Sequence, residues 1–65
     1  YTAGSLNNLG SLLYAMGDLP GARLYFEQAL AIFEAVLPPD HPTIRTVRGN
    51  LDYLSRQQAE LDESE

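Results

Sequence analysis

The chain has no cysteine, no tryptophan, no lysine and a single histidine in 65 residues. Without cysteine there are neither disulfides nor thiolate metal sites, and the chain fits a reducing, cytoplasmic setting. One histidine with no cysteine beside it leaves too few soft ligands for a zinc site. Four arginines face nine acidic residues, for a formal charge of −5. So few cations make the chain a poor candidate for a phosphate backbone or an anionic membrane surface. No apolar run approaches the length of a membrane span: the uncharged stretch Tyr1 to Gly17 is interrupted by Gly4, Asn7, Asn8, Gly10, Ser5 and Ser11. No basic segment precedes it to make a signal peptide. The start at Tyr1 rather than methionine leads to the expectation of a piece excised from a longer protein. No nucleophile elbow, glycine-rich phosphate loop or calcium loop is present, so neither catalysis nor a cofactor is expected.

What is present is helical periodicity, with 45% hydrophobic residues to carry it. In Ala22 to Leu37, a stripe of Ala22, Phe26, Ala29, Leu30, Phe33 and Leu37 runs down one face. A second stripe of Leu24, Tyr25, Ile32 and Val36 requires cover on another side. Before it, Leu6, Leu9, Leu13 and Met16 predict an amphipathic helix over Thr2 to Met16. Gly10 lies on the border of that ridge. A helical glycine costs about 1 kcal/mol relative to alanine, and close approach of a second helix is the natural compensation. Gly17 predicts a left-handed stop, and Asp18-Leu19-Pro20 a capped restart. The short break makes the two helices an antiparallel hairpin, with Gly21 and Ala22 passing Gly10.

Pro38-Pro39 ends the second helix. Asp40-His41-Pro42 repeats the Asp-x-Pro device, and Ile44, Val47, Leu51, Leu54 and Leu61 outline a third helix, with Gln58 breaking the apolar alternation. Fraying is expected from Asp62 onward. Sliding the chain by 42 positions pairs Asn8 with Asn50, Leu9 with Leu51, Leu12 with Leu54 and Leu19 with Leu61. The third helix is therefore read as the first helix of a following unit, or as a solvating helix that ends the array. The expected architecture is all-α: a helix-turn-helix unit over 1–37, a loop over 38–42, and a third helix over 43–65.

Leu9-Gly10, Leu13, Gly17-Asp18-Leu19, Ala22, Phe26 and Ala29-Leu30 follow the spacing of the tetratricopeptide repeat family, which the chain resembles over Tyr1 to about Ser55. SLNNLG at 5–10 and ALAIFEAVLPPDHP at 29–42 are similar to the longer repeats of kinesin light chains, whose second helix is extended. The sequence departs from the pattern at Leu6, where a tryptophan is usual, at Leu13, where a tyrosine is usual, and at Gly49, which replaces an asparagine.

The resemblance implies an α-α superhelix fragment of about one and a half repeats, with a protein–protein interaction or scaffold role. In the family the first helix of each repeat lines a concave groove for extended peptides or a partner helix. By motif, Asn7, Asn8, Ser11 and Tyr14 face that groove, with Asn50 and Tyr53 from the next unit. An asparagine amide both donates to and accepts from a peptide backbone; Asn8 and Asn50 tying neighbouring helices together is the structural reading of the same residues. No cation falls on the groove positions, which argues against gripping an acidic C-terminus. The exposed second stripe of the middle helix implies company: a longer repeat array, a homo-oligomer, or a dimer that exchanges helices at Gly17-Asp18. His41 and Asp40 are read as a helix start, and Glu27 and Glu34 as a solvated stripe rather than a catalytic pair.

Overall fold

Thr2 starts the first helix. Its hydroxyl accepts from the Ser5 backbone N–H at 3.1 Å, satisfying one of the free donors of the first turn. The computed structural model describes residues 2–63, which form three helices: α1 (Ala3–Ala15), α2 (Leu19–Val36) and α3 (Pro42–Glu63). No strand occurs among the described residues.

α1 ends at Gly17, whose φ of 86° is the left-handed conformation open to glycine. The Gly17 N–H donates to the Tyr14 carbonyl at 3.0 Å and the Asp18 N–H to the Leu13 carbonyl at 2.9 Å, the paired bonds of a Schellman stop. Met16 is thereby the C-cap and 71% exposed, so the buried ridge of α1 is Ala3, Leu6 and Gly10 rather than one that reaches Met16.

The Asp18 carboxylate accepts from the Gly21 N–H at 3.1 Å and Pro20 sits in the first turn of α2, as the sequence predicts. Gly21 has a role in the cap beyond the one the sequence suggests. A Cβ there would collide first with the Asp18 carboxylate, which supplies its three nearest neighbours, so its small size serves the cap. Replacing Asp18 with alanine is expected to lower stability by about 1 kcal/mol in urea denaturation. In that background Gly21→Ala is expected to be tolerated, whereas alone it disrupts the cap; additive losses in the two single variants and the double would show that the two residues do not share one device.

Leu37, in extended conformation, and Pro38-Pro39 stop α2. At the start of α3 the cap passes from Asp40, where the sequence placed it, to His41. The His41 Nδ1 accepts from the Thr43 N–H at 3.1 Å, and its carbonyl accepts from Ile44 at 3.0 Å. The reason is register: Pro20 is the second residue of α2, but Pro42 is the first of α3, so the capping position moves one step toward the proline. α3 also stays helical through Glu63 rather than fraying at Asp62, while the expectation for Ser64 and Glu65 lies outside the described residues.

α1 packs on α2 and α2 on α3. Ala22 and Phe26 of α2 form one buried cluster with Val47 and Leu54 of α3, and Leu13, Leu19, Leu30, Phe33 and Leu51 pack around it. A Cβ on Gly10 would stand 3.0 Å from the Phe26 ring and 3.2 Å from the Ala22 carbonyl. Gly10 lies shortly before the turn and Ala22 shortly after it, which is the pairing an antiparallel hairpin requires. The molecule measures 40 × 22 × 13 Å, so it is little more than one helix deep in its thinnest direction. That leaves Leu24, Ile32 and Val36 of α2 exposed.

Candidate functional site

Between α1 and α3 lies an open cleft of about 270 Å³, lined by Ser11 and Tyr14 of α1, Asn50, Tyr53 and Leu54 of α3, and Phe26 of α2. α1 and α3 thus stand side by side with α2 beneath them. Phe26 and Leu54, both buried, make the floor; the walls are hydroxyls, phenols and an amide. No lining residue is charged.

The Tyr14 and Tyr53 rings meet across the cleft with centroids 6.1 Å apart, inclined at 52°. This is within the range in which aromatic rings attract beyond simple burial. Gln57 Nε2 donates to the Tyr53 hydroxyl at 3.1 Å, fixing the phenol from its own helix. The Ser11 hydroxyl donates to the Asn7 carbonyl at 3.1 Å and keeps its lone pairs for an incoming donor. The Tyr53 pKa is raised, first by hydrogen bonding with the Tyr14 hydroxyl, then by the charge of Tyr14, by desolvation and by Glu60. A phenol raised on folding favours the folded state below the ordinary tyrosine range, and that contribution is lost as pH climbs through the raised value.

Four of the six residues predicted for the groove line the cleft: Ser11, Tyr14, Asn50 and Tyr53. Asn7 and Asn8 do not. Asn7 is half-buried, its Oδ1 enclosed without a hydrogen-bond partner among the described residues, and Asn8 is exposed. The floor residues Phe26 and Leu54 and the supporting Gln57 were not singled out, although the 3–4 spacing that marks Phe26 and Leu54 as core also carries them under the gap.

Elsewhere, Glu27 pairs with Arg23 at 2.9 Å and Glu34 with Arg48 at 2.6 Å, all four being about half exposed. Such pairs contribute little to stability, and they hold the two carboxylates as ion-pair partners of separate arginines. Gln58 is half-buried beside Pro20, Arg23, Leu24 and Glu27, its Oε1 without a hydrogen-bond partner among the described residues. Among the described residues no three metal-ligating side chains cluster, and no helix is long and apolar enough to cross a membrane.

The family model of the tetratricopeptide repeat matches residues 2–43, which span α1, α2 and the first two residues of α3. No curated protein and no solved structure matches the chain. The hairpin with its Gly10–Phe26 crossing, the Gly17-Asp18 turn and the match over most of the chain together make this protein a member of the tetratricopeptide repeat family.

Proposed function

We propose that the chain is a non-enzymatic interaction module whose cleft between α1 and α3 receives an extended, uncharged stretch of a partner protein. Tetratricopeptide repeats generally mediate protein–protein interaction. The observation that carries the finer reading is the convergence of Ser11, Tyr14, Asn50 and Tyr53 over an apolar floor. Amide and hydroxyl groups over apolar side chains suit a peptide backbone with small neutral side chains. Carboxylates have no cation to meet there, and the −5 formal charge disfavours nucleic acid and anionic membranes. An 18-residue α2 beside a 13-residue α1 supports the long, kinesin-light-chain-like form of the repeat. The absence of cysteine suits a cytoplasmic setting.

The test is capture from an array of short peptides that are neutral, acidic or basic. Neutral peptides are expected to be retained. Asn50→Ala should weaken retention about tenfold, corresponding to about 1.4 kcal/mol, with an unchanged thermal midpoint. Preferential capture of charged peptides, or retention indifferent to Asn50→Ala, would sink the reading. The exposed Leu24, Ile32 and Val36 on α2 support a second reading, self-association, which concentration-dependent light scattering detects.

A further inference from the structure

The side chains that most readily give up a single electron are few in this chain. There is no cysteine and no tryptophan, so one-electron oxidation comes to rest on tyrosine. Met16, 71% exposed at the end of α1, takes up oxygen to become the sulfoxide and so follows a different course.

Tyr14 and Tyr53 are the tyrosines that the fold brings together. They come from α1 and α3, each of which packs on α2. The 6.1 Å between their ring centroids, at an inclination of 52°, sets the ring edges against each other. Gln57 Nε2, donating to the Tyr53 hydroxyl at 3.1 Å, steadies that ring from its own helix. The two residues are 36% and 55% exposed, so an oxidant reaches both rings. Either ring can also turn about χ1 and χ2 without leaving a core. Tyr25, half-buried on α2, stands outside the pair.

We propose that Tyr14 and Tyr53 form a site of oxidative modification, coupled as dityrosine by a one-electron oxidant of the haem-peroxidase and hydrogen-peroxide class. Each phenol loses one electron and its hydroxyl proton. The two phenoxyl radicals join by a carbon–carbon bond between the ring positions next to their oxygens. The hydrogen on each bonded carbon then moves to the oxygen beside it, which restores both rings. The protein loses two hydrogens in all, and one hydrogen peroxide is reduced to two waters. Two rings held in contact react as if at a concentration far above that of any second chain, so the bond forms within one molecule. It closes a covalent ring from α1 through α2 to α3 and lies across the cleft. The coupling does not depend on whether that cleft binds peptides. A crosslink over so long a loop also removes freedom from the unfolded chain and so favours the fold.

The test treats the dilute chain with peroxidase and an equimolar amount of hydrogen peroxide, followed by trypsin and mass spectrometry. Trypsin leaves Tyr1 and Tyr14 in the peptide 1–23, Tyr25 in 24–45 and Tyr53 in 49–56. The expected product has the size of a single chain, with 1–23 joined to 49–56, two hydrogens missing and fragmentation placing the bond on Tyr14. Tyr14→Phe and Tyr53→Phe remove one exposed hydroxyl each and should melt within about 2 °C of the parent, which shows that they fold. Each should cut the joined product at least about tenfold. Tyr25→Phe should leave its yield unchanged. The purified crosslinked chain should melt at least about 10 °C above the parent. Coupling mainly between chains, or a joint to 49–56 that survives Tyr14→Phe, would overturn the proposal. So would coupling through Tyr25 in equal yield, or a crosslinked chain that melts no higher than the parent.

Discussion

Replacing Phe26 with alanine is expected to abolish the cooperative thermal transition, leaving a chain without fixed helical structure at 25 °C. Phe26 is 3% exposed and is the largest side chain in the cluster that joins α2 to α3. The same ring fills the space left by the missing Gly10 side chain on α1 and floors the cleft. It is therefore in contact with all three helices. Phenylalanine-to-alanine changes in a core cost about 3–5 kcal/mol, and a core of this size supplies about that much in total. No disulfide or thiolate-bound metal offsets the loss, because there is no cysteine. Far-UV circular dichroism against temperature is the measurement. A sigmoidal melt within a few degrees of the parent would mean that α1 and α3 hold α2 by other contacts. Phe26→Leu, which keeps most of the volume, should lose less than about 1.5 kcal/mol and still melt cooperatively.

The helices and their order were legible because breaks and periodicity agree. Gly17 is a glycine for the reason a sequence reader supposes, a positive φ, and the leucine and alanine-phenylalanine stripes do face inward. What was not legible is register at the level of one residue. Asp18 and Asp40 precede prolines at the same spacing, yet only Asp18 caps a helix through its side chain; at α3 the neighbouring His41 does so. Proline is tolerated at either of the first two helical positions because the early N–H groups have no intrahelical acceptor. Met16 fails for a related cause: its spacing continues the ridge, but the Schellman bonds turn the chain before it can join.

The cleft was partly legible for a different reason. Under the internal 42-residue shift Ser11 falls on Tyr53, so that pair follows from the repeat, whereas Tyr14 falls on Arg56 and Asn50 on Asn8, which lie outside the cleft lining. Phe26 and Leu54 escaped because a floor belongs to the gap between two helices, and the periodicity of each helix alone reports only that such residues are buried. Asn7 and Asn8 escaped in the other direction. They are neighbours of Ser11 in sequence, but about 100° separates consecutive residues on a helix, which carries one partly inward and the other out to solvent.

Two helical glycines should respond to alanine with opposite signs. At Gly49, in the middle of α3, an added Cβ meets nothing within 4 Å. Gly49→Ala is therefore expected to stabilise by about 0.5–1 kcal/mol, the intrinsic difference between the residues. At Gly10 the same Cβ comes within 3.0 Å of the Phe26 ring and 3.2 Å of the Ala22 carbonyl. The ring is backed by Val47 and Leu54, so it yields only by displacing α3, and the carbonyl yields only by moving α2. Overpacking of this kind costs about 1–3 kcal/mol, which outweighs the helical gain. Gly10→Ala should therefore end below the parent by about 1 kcal/mol. Gly10→Val, with two further methyls directed at the same contacts, should lose about 3 kcal/mol, close to the stability of the chain. Urea midpoints with unchanged slopes measure all three variants on one scale. If Gly10→Ala stabilises as Gly49→Ala does, α1 and α2 are not held apart by Phe26 alone, and the close crossing that defines this hairpin has room to spare.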